Sequence, residues 1–343
     1  MQLGVILGTW NGSQVDAAAM LRVVQEAESS GYAIAWVPEL YGADAVSLMS
    51  WLASHTSRIR IGSAVMQIPA RAPTTTAMTA ASLAALYGDR IVLGLGVSGP
   101  QVSVGWYGVP WSDPIGRTRE YLETVRLALS GQRVTYDGQH VQLPGEGYRP
   151  LKLVLKNDAH IPIYLAAIGP RNIRLAAEVA DGWLPALVYP ERFDDSRKLF
   201  TDAVAAAGRS RTDVTIAAST GAVLNDDLAA ARDVYRPYVT LLIGGMGTRQ
   251  QNFYRNLVTG YGYGEVANRI TELYLAGDVK QAQALTPDEL IDNVGLIGDE
   301  ARMRDRLAVY AEAGIDIFSI APSGRSLDEK LHVVRTVASA LSR

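Results

Sequence analysis

Three glycines follow an apolar run with a spacing that is typical of phosphate binding. Residues 91–100 read IVLGLGVSGP, in which Gly94, Gly96 and Gly99 satisfy the G-x-G-x-x-G pattern of a dinucleotide-binding turn. Glycines at such a place let main-chain N–H groups approach a phosphate or a flat ring closely. The same residues also serve packing or curvature in a barrel strand, where a side chain has no room. The surrounding elements must distinguish between these interpretations.

A carboxylate and several aromatic residues also follow short apolar runs. Glu39 comes just after the run YAIAWV, which makes it a candidate acid or base, or a contact to a cofactor ring. The alternative is a residue at the rim of a barrel, held by hydrogen bonds. Loop aromatics at a barrel mouth suit an apolar or planar substrate, and four are candidates for that pocket: Trp10, Tyr41, Trp106 and Tyr107. Tyr107 is also the candidate proton donor.

Short strand-like runs alternate with helical stretches along the whole chain. The eight predicted strands are residues 3–7, 33–37, 58–67, 90–97, 161–167, 181–187, 213–220 and 315–322. Strands that each precede a helix indicate a parallel sheet, and their near-continuous apolar character indicates cover on both faces. We therefore predict a single α/β domain over residues 1–343, a (β/α)8 TIM barrel. A hairpin at 132–143, turning at Asp137-Gly138, and a mostly helical insertion at 222–298, before strand eight, interrupt the pattern.

A Rossmann dehydrogenase is the competing interpretation of the glycine string. Three β/α units precede the string, whereas the dinucleotide fingerprint normally occupies the first turn between a strand and its helix. Pro100 and the loop GWYGVPW separate the last glycine from the next long helix, which we predict over residues 113–129 with Asp113 as N-cap and Pro114 in the first position. An acidic residue is expected about 20 positions later at the end of a second strand, but Glu120 and Glu123 fall within a predicted helix. The pattern favours a barrel, with the glycines at the mouth.

Composition excludes several classes of protein. The 343 residues carry a formal net charge of −3 and include no cysteine, which rules out disulfides, thiolate metal sites and cysteine nucleophiles. Nothing in the charge distribution suggests a nucleic acid or an anionic membrane as partner. The N-terminal residues lack the features of a signal peptide, and the histidines show no metal-ligand spacing. We expect a cytoplasmic protein without a metal site that acts on a small molecule.

Three strings of the sequence together resemble a known family. LGLGVSGPQVSVGWYG, IPIYLAAIGPRNIRLAAEVADGWLP and IGSAVMQ are similar to the bacterial luciferase-like superfamily, in its branch of coenzyme F420-dependent oxidoreductases. The resemblance covers nearly the whole chain, including the insertion before strand eight. It implies a TIM barrel, a homodimer, and a deazaflavin or flavin bound across the ends of the strands.

The resemblance also assigns individual residues to the cofactor. It implies a bulge with a non-proline cis peptide bond between Ala64 and Val65, against the middle ring. Contacts to the ring and its side chain are implied at Gly96, Val97, Ser98 and Gly99, and contacts on the phosphate side at Ala167, Ile168 and Gly169. The next helix begins directly afterwards, and a helix N-terminus favours a phosphate. Arg171 is a candidate phosphate partner or an ordinary surface arginine.

The implied activity is hydride transfer between C5 of F420 and a small organic substrate, apolar or planar. A deazaflavin transfers two electrons and reacts poorly with oxygen, so the protein is expected to be a dehydrogenase or reductase. In sugar-phosphate-oxidising relatives strand two ends in Asp-His, whereas this chain has Glu39-Leu40 there, which speaks against glucose 6-phosphate as substrate. Two alternatives remain open: a reduced-FMN-dependent monooxygenase, and a barrel that binds cofactor without catalysis.

Overall fold

The computed structural model describes residues 1–8, 16–155 and 160–341. The strands are β1 (Gln2–Ile6), β2 (Ile34–Val37), β3 (Arg60–Ser63), β4 (Met66–Gln67), β5 (Ile91–Gly96), β6 (Tyr136–Asp137), β7 (Gln142–Leu143), β8 (Ile163–Ala166), β9 (Gly182–Leu184), β10 (Thr215–Leu224), β11 (Leu296–Gly298) and β12 (Ile317–Ser323).

The helices alternate with these strands along most of the chain. They are α1 (Ala17–Ser29), α2 (Ala45–Ser54), α3 (Pro73–Tyr87), α4 (Pro100–Gly105), α5 (Pro114–Leu129), α6 (Pro170–Val179), α7 (Asp194–Ala206), α8 (Leu228–Gly245), α9 (Phe253–Val258), α10 (Gly264–Leu275), α11 (Val279–Leu285), α12 (Asp288–Val294), α13 (Glu300–Glu312) and α14 (Leu327–Leu341).

The parallel strands close into a barrel. The order of pairing is β1, β2, β3, β5, β8, β9, β10 and β12, and β12 pairs back with β1. The short strand β4 continues the path of β3 and pairs with β5. The predicted (β/α)8 TIM barrel is therefore confirmed, and each predicted strand overlaps one of these elements. The predicted third strand is split in two, because residues 64 and 65 leave the sheet between β3 and β4.

Side chains alternate between the two faces of the barrel wall. Outward-facing residues join the helices in one large apolar core, while a smaller cluster that includes Ile34, Trp36, Val92 and Tyr164 fills the interior. The Trp36 ring fits inside because Gly62 has no side chain: a Cβ there would lie 2.5 Å from a ring carbon. The Trp36 indole Nε1 donates a hydrogen bond of 3.0 Å to Ser319 Oγ. The interior is thus a packed core.

Aspartates fix the starts of five helices. The side chains of Asp16, Asp44, Asp113, Asp227 and Asp299 each accept a hydrogen bond from a first-turn N–H group. Such caps satisfy N–H groups that have no partner within the helix. The predicted start of α5, with Asp113 as N-cap and Pro114 in the first position, is confirmed.

The turn of the small hairpin differs from the prediction. β6 and β7 pair antiparallel, but Asp137 pairs with Gln142 and belongs to the strand, so the turn spans residues 138–141. The Glu120 carboxylate of α5 accepts hydrogen bonds of 2.9, 2.6 and 2.8 Å from the N–H groups of residues 139–141. A long-range anchor therefore shapes this turn. The dipeptide Asp137-Gly138 is a local signal for a two-residue turn. It carries no information about the contact with Glu120 on a separate helix.

Helices follow β10 before the chain returns to the barrel. β10 itself runs to Leu224, so the first residues of the predicted insertion, 222–224, belong to the barrel wall. Apolar residues of α8, α10 and α12 pack on one another and on Val223 and Ile297. β11 pairs with the end of β10 and ties this second core to the barrel. The arrangement brings the end of α8 beside the loop that follows β5.

Candidate active site

A cleft of about 300 Å³ opens at the C-terminal ends of the strands, between the end of α8 and the segment after β5. In barrels of this kind ligands bind at this end, in loops that follow the strands. The lining residues are Tyr41, Ser98, Gly99, Gln101, Val102, Gly105, Trp106, Gly245, Met246 and Gly247. Among the described residues, none that lines the cleft carries a charged side chain. The cleft therefore suits a ligand that is uncharged where it contacts this surface.

The glycines of the opening string have different functions. A Cβ on Gly94 would lie 1.8 Å from the Ser63 carbonyl oxygen, and one on Gly96 would lie 2.6 Å from Val65 Cγ2, so both are needed for packing. A Cβ on Gly99 would meet no atom closer than Met246 O at 4.0 Å, and Gly169 has nothing within 4 Å. Gly99 and Gly169 therefore leave open surface, which Gly94 and Gly96 do not.

The bulge between β3 and β4 has the geometry that the resemblance implied. The peptide bond between Ala64 and Val65 is cis, and both residues are half-buried. Below the bulge, Ser63 Oγ donates a hydrogen bond of 2.8 Å to the Gly94 carbonyl and accepts one of 3.0 Å from the Gly94 N–H. Ser98, at the cleft, has a left-handed backbone with φ of 61°. The turn there leads from β5 into α4.

Glu39 is the centre of a buried ion pair. Its Oε2 accepts hydrogen bonds of 2.7 Å from Arg71 Nη1 and 2.9 Å from the Gln67 N–H. Its Oε1 accepts hydrogen bonds of 2.6 Å from Arg71 Nη2 and 3.2 Å from the Ala45 N–H. Arg71 Nη2 also lies 2.5 Å from Asp44 Oδ1. The hydrogen bond to Glu39 raises the pKa of Arg71 above its usual range, which keeps the guanidinium charged.

This environment argues against the catalytic and cofactor-binding roles expected for Glu39. Each carboxylate oxygen already accepts two hydrogen bonds, and the residue is 5% exposed. A carboxylate held in this way has no free site for a substrate proton. We infer that Glu39 instead links the loop after β2 to β4 and α2, as in the rim-residue alternative. Sequence reasoning missed its partner Arg71, which is 32 residues away.

Tyr107 lies just beyond α4, close to this ion pair. Burial raises the pKa of its hydroxyl, and the negative charge of Glu39 acts in the same direction. The group therefore stays protonated at neutral pH, as a proton donor must. Tyr107 is half-buried and adjoins the cleft through Trp106, without being one of the residues that line it.

Two of the predicted aromatic residues line the cleft together. Trp106 and Tyr41 are 62% and 61% exposed, and their ring centroids lie 6.3 Å apart. They come from different loops, after β5 and β2, so the fold brings them together at the mouth of the barrel. Trp10, the remaining aromatic candidate, lies outside the described residues.

Residues 167–169 connect β8 to α6. The Ala167 carbonyl accepts a hydrogen bond of 2.8 Å from Trp183 Nε1 and the residue is buried, so its backbone oxygen already has a partner within the protein. Ile168 and Gly169 are half-buried, and Gly169 caps α6. Arg171 is exposed. The pKa of Asp113 is lowered chiefly by the Gly116 N–H, then by His140 and by the charge of Arg171, so Arg171 has a carboxylate nearby.

The described ranges contain neither a cluster of metal-binding side chains nor a membrane-spanning helix. Within them, no group of three or more His, Asp or Glu side chains is arranged to hold a metal ion. None of the helices in the described part of the chain combines the length and hydrophobicity needed to cross a bilayer.

Known proteins resemble this chain over most of its length. A protein from Mycobacterium tuberculosis named "Putative coenzyme F420-dependent oxidoreductase Rv3520c" is 39% identical over 330 residues, which is 93% of this chain and 94% of the relative. The 5,10-methylenetetrahydromethanopterin reductase of Archaeoglobus fulgidus is 26% identical over 315 residues, or 91% of this chain and 92% of the relative.

Solved structures share the fold. The coenzyme F420-dependent tetrahydromethanopterin reductase from Methanopyrus kandleri matches with a TM-score of 0.79 at 23% identity, over 99% of this chain and 97% of the other. An F420-dependent secondary alcohol dehydrogenase, in complex with an F420-acetone adduct, matches with a TM-score of 0.81 at 19% identity, over 99% and 98%. The model of the luciferase-like monooxygenase family matches residues 1–316. The chain therefore belongs to the luciferase-like monooxygenase family.

Proposed function

We propose that this protein is a coenzyme F420-dependent oxidoreductase that transfers a hydride between the deazaflavin and a small apolar or planar substrate. One observation carries the proposal: an open cleft at the strand ends is lined by Ser98, Gly99 and Gly245, and Gly99 leaves room for a flat ring beside its backbone. The names of the relative from Mycobacterium tuberculosis and of the two matched F420-dependent enzymes support this choice of cofactor.

The residues at the mouth of the barrel fit a flat ring with a phosphate-bearing side chain. Gly99 and Gly169 leave space where any other residue would project a side chain. The N-terminus of α6, a helix of 10 residues, begins at Pro170 after Gly169 and favours negative charge. Ala64, Val65, Ser98 and Gly99 would hold the ring, and Ile168 and Gly169 the phosphate side. When bound, the cofactor would supply C5, which donates a hydride in the reduced form and accepts one in the oxidised form.

The protein's own contribution is to position the reactants and to supply a proton. Trp106 and Tyr41 offer aromatic surface for the substrate, and Met246 adds an apolar side chain. Because no described lining residue is charged, this surface favours a neutral substrate. Tyr107, with its raised pKa, is the candidate that donates the proton that accompanies hydride transfer to the substrate.

The Trp106→Ala variant tests where the substrate binds. We expect KM for a planar substrate to rise about tenfold, because losing one aromatic contact costs roughly 1.5 kcal/mol. The free energy of unfolding should change by less than about 0.5 kcal/mol, because the residue is exposed. Steady-state kinetics and urea denaturation measure these effects. Tyr148→Ala, at an exposed aromatic outside the cleft, is the matched control, and an unchanged KM for Trp106→Ala contradicts the placement.

The Tyr107→Phe variant tests the proton donor. We expect kcat to fall by roughly 100-fold, as is typical when a general acid is removed. Because the pKa of Tyr107 is raised, the wild-type hydroxyl stays protonated from neutral into alkaline pH. It stops being a proton donor only when the pH rises through this raised pKa. The gap between wild type and variant should therefore narrow only at the alkaline end of a profile of kcat against pH. Tyr148→Phe is the control, and equal kcat for Tyr107→Phe and wild type excludes the role.

Cofactor titration separates F420 from the alternative, reduced FMN, which the name of the family favours. Binding of F420 with micromolar affinity, measured by fluorescence quenching, and no binding of FMN support the proposal, while the opposite result overturns it. Turnover of reduced F420 with enones, quinones and imines then distinguishes an enzyme from a barrel that only binds the cofactor. We further propose a homodimer, on the family resemblance alone, which sedimentation velocity measures.

A further inference from the structure

One buried side chain at the strand ends has a polar atom without a partner. Gln67, in β4, is 2% exposed, and its Oε1 has no hydrogen-bond partner among the described residues. Buried polar atoms are nearly always paired, because an unpaired atom loses its bonds to water without replacement. A donor from outside the chain would satisfy this oxygen.

Neighbouring contacts determine which way the Gln67 amide faces. Its Nε2 donates a hydrogen bond of 2.9 Å to the Glu39 backbone carbonyl, and its backbone N–H donates one of 2.9 Å to Glu39 Oε2. Turning the amide over would place Oε1 against the Glu39 carbonyl oxygen, and two acceptors repel. Arg71 in turn holds Glu39 through two hydrogen bonds. The ion pair therefore keeps the unpaired oxygen in one orientation.

Strand alternation places Gln67 on the inner face of the barrel. Met66 and its strand partner Leu95 both belong to the core between barrel and helices. Successive side chains in a strand point to opposite faces, so Gln67 and its partner Gly96 face inward. Gly96 ends β5, two residues before Ser98 of the cleft, and Gln67 follows the Ala64–Val65 bulge by two residues. The unpaired oxygen thus belongs to the mouth of the barrel.

We propose that Gln67 Oε1 accepts a hydrogen bond from the ring N–H of the bound cofactor, with the Glu39–Arg71 pair as the positioning element. This inference rests on the proposed function. The pyrimidine edge of the oxidised deazaflavin carries a single N–H, N3–H, between two carbonyl groups. An acceptor matches that donor, whereas it repels either carbonyl. Gln67 therefore also selects the position of the ring along β4.

The test compares two ligands and two proteins in a double-mutant cycle. The ligands are F420 and a deazaflavin that differs only in a methyl group at N3, and binding is measured by fluorescence quenching with the whole chain. We expect wild type to bind the methylated ligand about tenfold more weakly, the effect of one lost hydrogen bond. The Gln67→Met variant should bind F420 about tenfold more weakly than wild type does. Its affinity for the N3-methylated ligand should be nearly the same as for F420, because the substitution and the methyl group remove the same hydrogen bond.

Gln25→Met is the matched control. Gln25 on α1 also donates from Nε2 to a backbone carbonyl, that of His55, at 3.2 Å. The control removes the same kind of hydrogen bond away from the strand ends, so it should leave the affinity for both ligands unchanged. Thermal unfolding without ligand shows whether each variant retains the fold.

Two results overturn the assignment of Gln67 while leaving the proposed function intact. One is equal affinity of wild type for the two ligands, and the other is unchanged F420 affinity in a folded Gln67→Met protein. The wild-type comparison alone decides the matter if Gln67→Met does not fold. If wild type binds no F420, the proposed function fails and this inference fails with it.

Discussion

The Arg71→Met variant is expected to lose about 3–5 kcal/mol of unfolding free energy, the usual cost of leaving a buried charge without its partner. The Glu39 side chain is only 3% exposed, and that of Arg71 is 16% exposed. Without the guanidinium, the Glu39 carboxylate keeps its two backbone donors but loses the only positive charge within hydrogen-bonding distance among the described residues. Urea denaturation, monitored by circular dichroism, measures the loss.

Two further variants make this prediction specific. Arg197→Met removes an arginine from an exposed pair with Asp194, and such pairs contribute only about 0–1 kcal/mol. In the double variant Glu39→Gln with Arg71→Met, the buried group is neutral, so part of the lost stability should return. A loss for Arg71→Met as small as that for Arg197→Met means that the ion pair does not hold the strand ends together.

Replacing Gly99 with leucine is expected to weaken F420 binding on the order of 100-fold, since overpacking costs up to about 3 kcal/mol. The backbone at Gly99 has φ of −117°, which leucine adopts without strain. A Cβ there would meet no atom closer than 4.0 Å, and Gly99 lines the cleft, so the new side chain would extend into it. The temperature of unfolding without ligand should therefore hardly change, while fluorescence titration shows the loss of affinity.

Gly260→Leu is the control for this substitution. A Cβ on Gly260 also meets nothing within 4 Å, but the residue lies in the short π-helical segment Thr259–Tyr263, outside the cleft. It should change neither affinity nor stability appreciably. If Gly99→Leu reduces stability and affinity together, Gly99 is a packing residue and the cleft is not the cofactor site.

The barrel could be predicted from sequence because its signals are local and repeated. Apolar runs such as 161–167 precede helices with clear starts, and Asp113-Pro114 marked the first turn of α5 correctly. The hairpin turn was assigned wrongly because the residue that shapes it, Glu120, lies on a preceding helix. Local sequence patterns indicate hydrogen bonds between residues that are close in the sequence. The hydrogen bonds of Glu120 join residues about 20 positions apart, so no such pattern indicates them.

The candidate site was only partly predictable for the same reason. Gly99, Tyr41 and Trp106 could be placed at the mouth, because their positions follow from the ends of strands. The partners of Glu39 could not, since Arg71 and Gln67 have no spacing or motif that relates them to it. Gln67 Oε1 is unpaired because the fold places no donor beside it among the described residues, and no local sequence pattern indicates this. Resemblance did supply the cis bond between Ala64 and Val65.

The indole of Trp36 lies between Gly62 and Ser319 and blocks the interior of the barrel. Tyr164 packs against the same ring, with centroids 5.6 Å apart, so the described side chains fill the barrel interior at this level. If the proposed function is right, substrate enters and product leaves through the cleft lined by Trp106 and Tyr41. Bound product occupies the same cleft as the incoming substrate, and the two exclude each other. We therefore expect the product to inhibit competitively with respect to substrate.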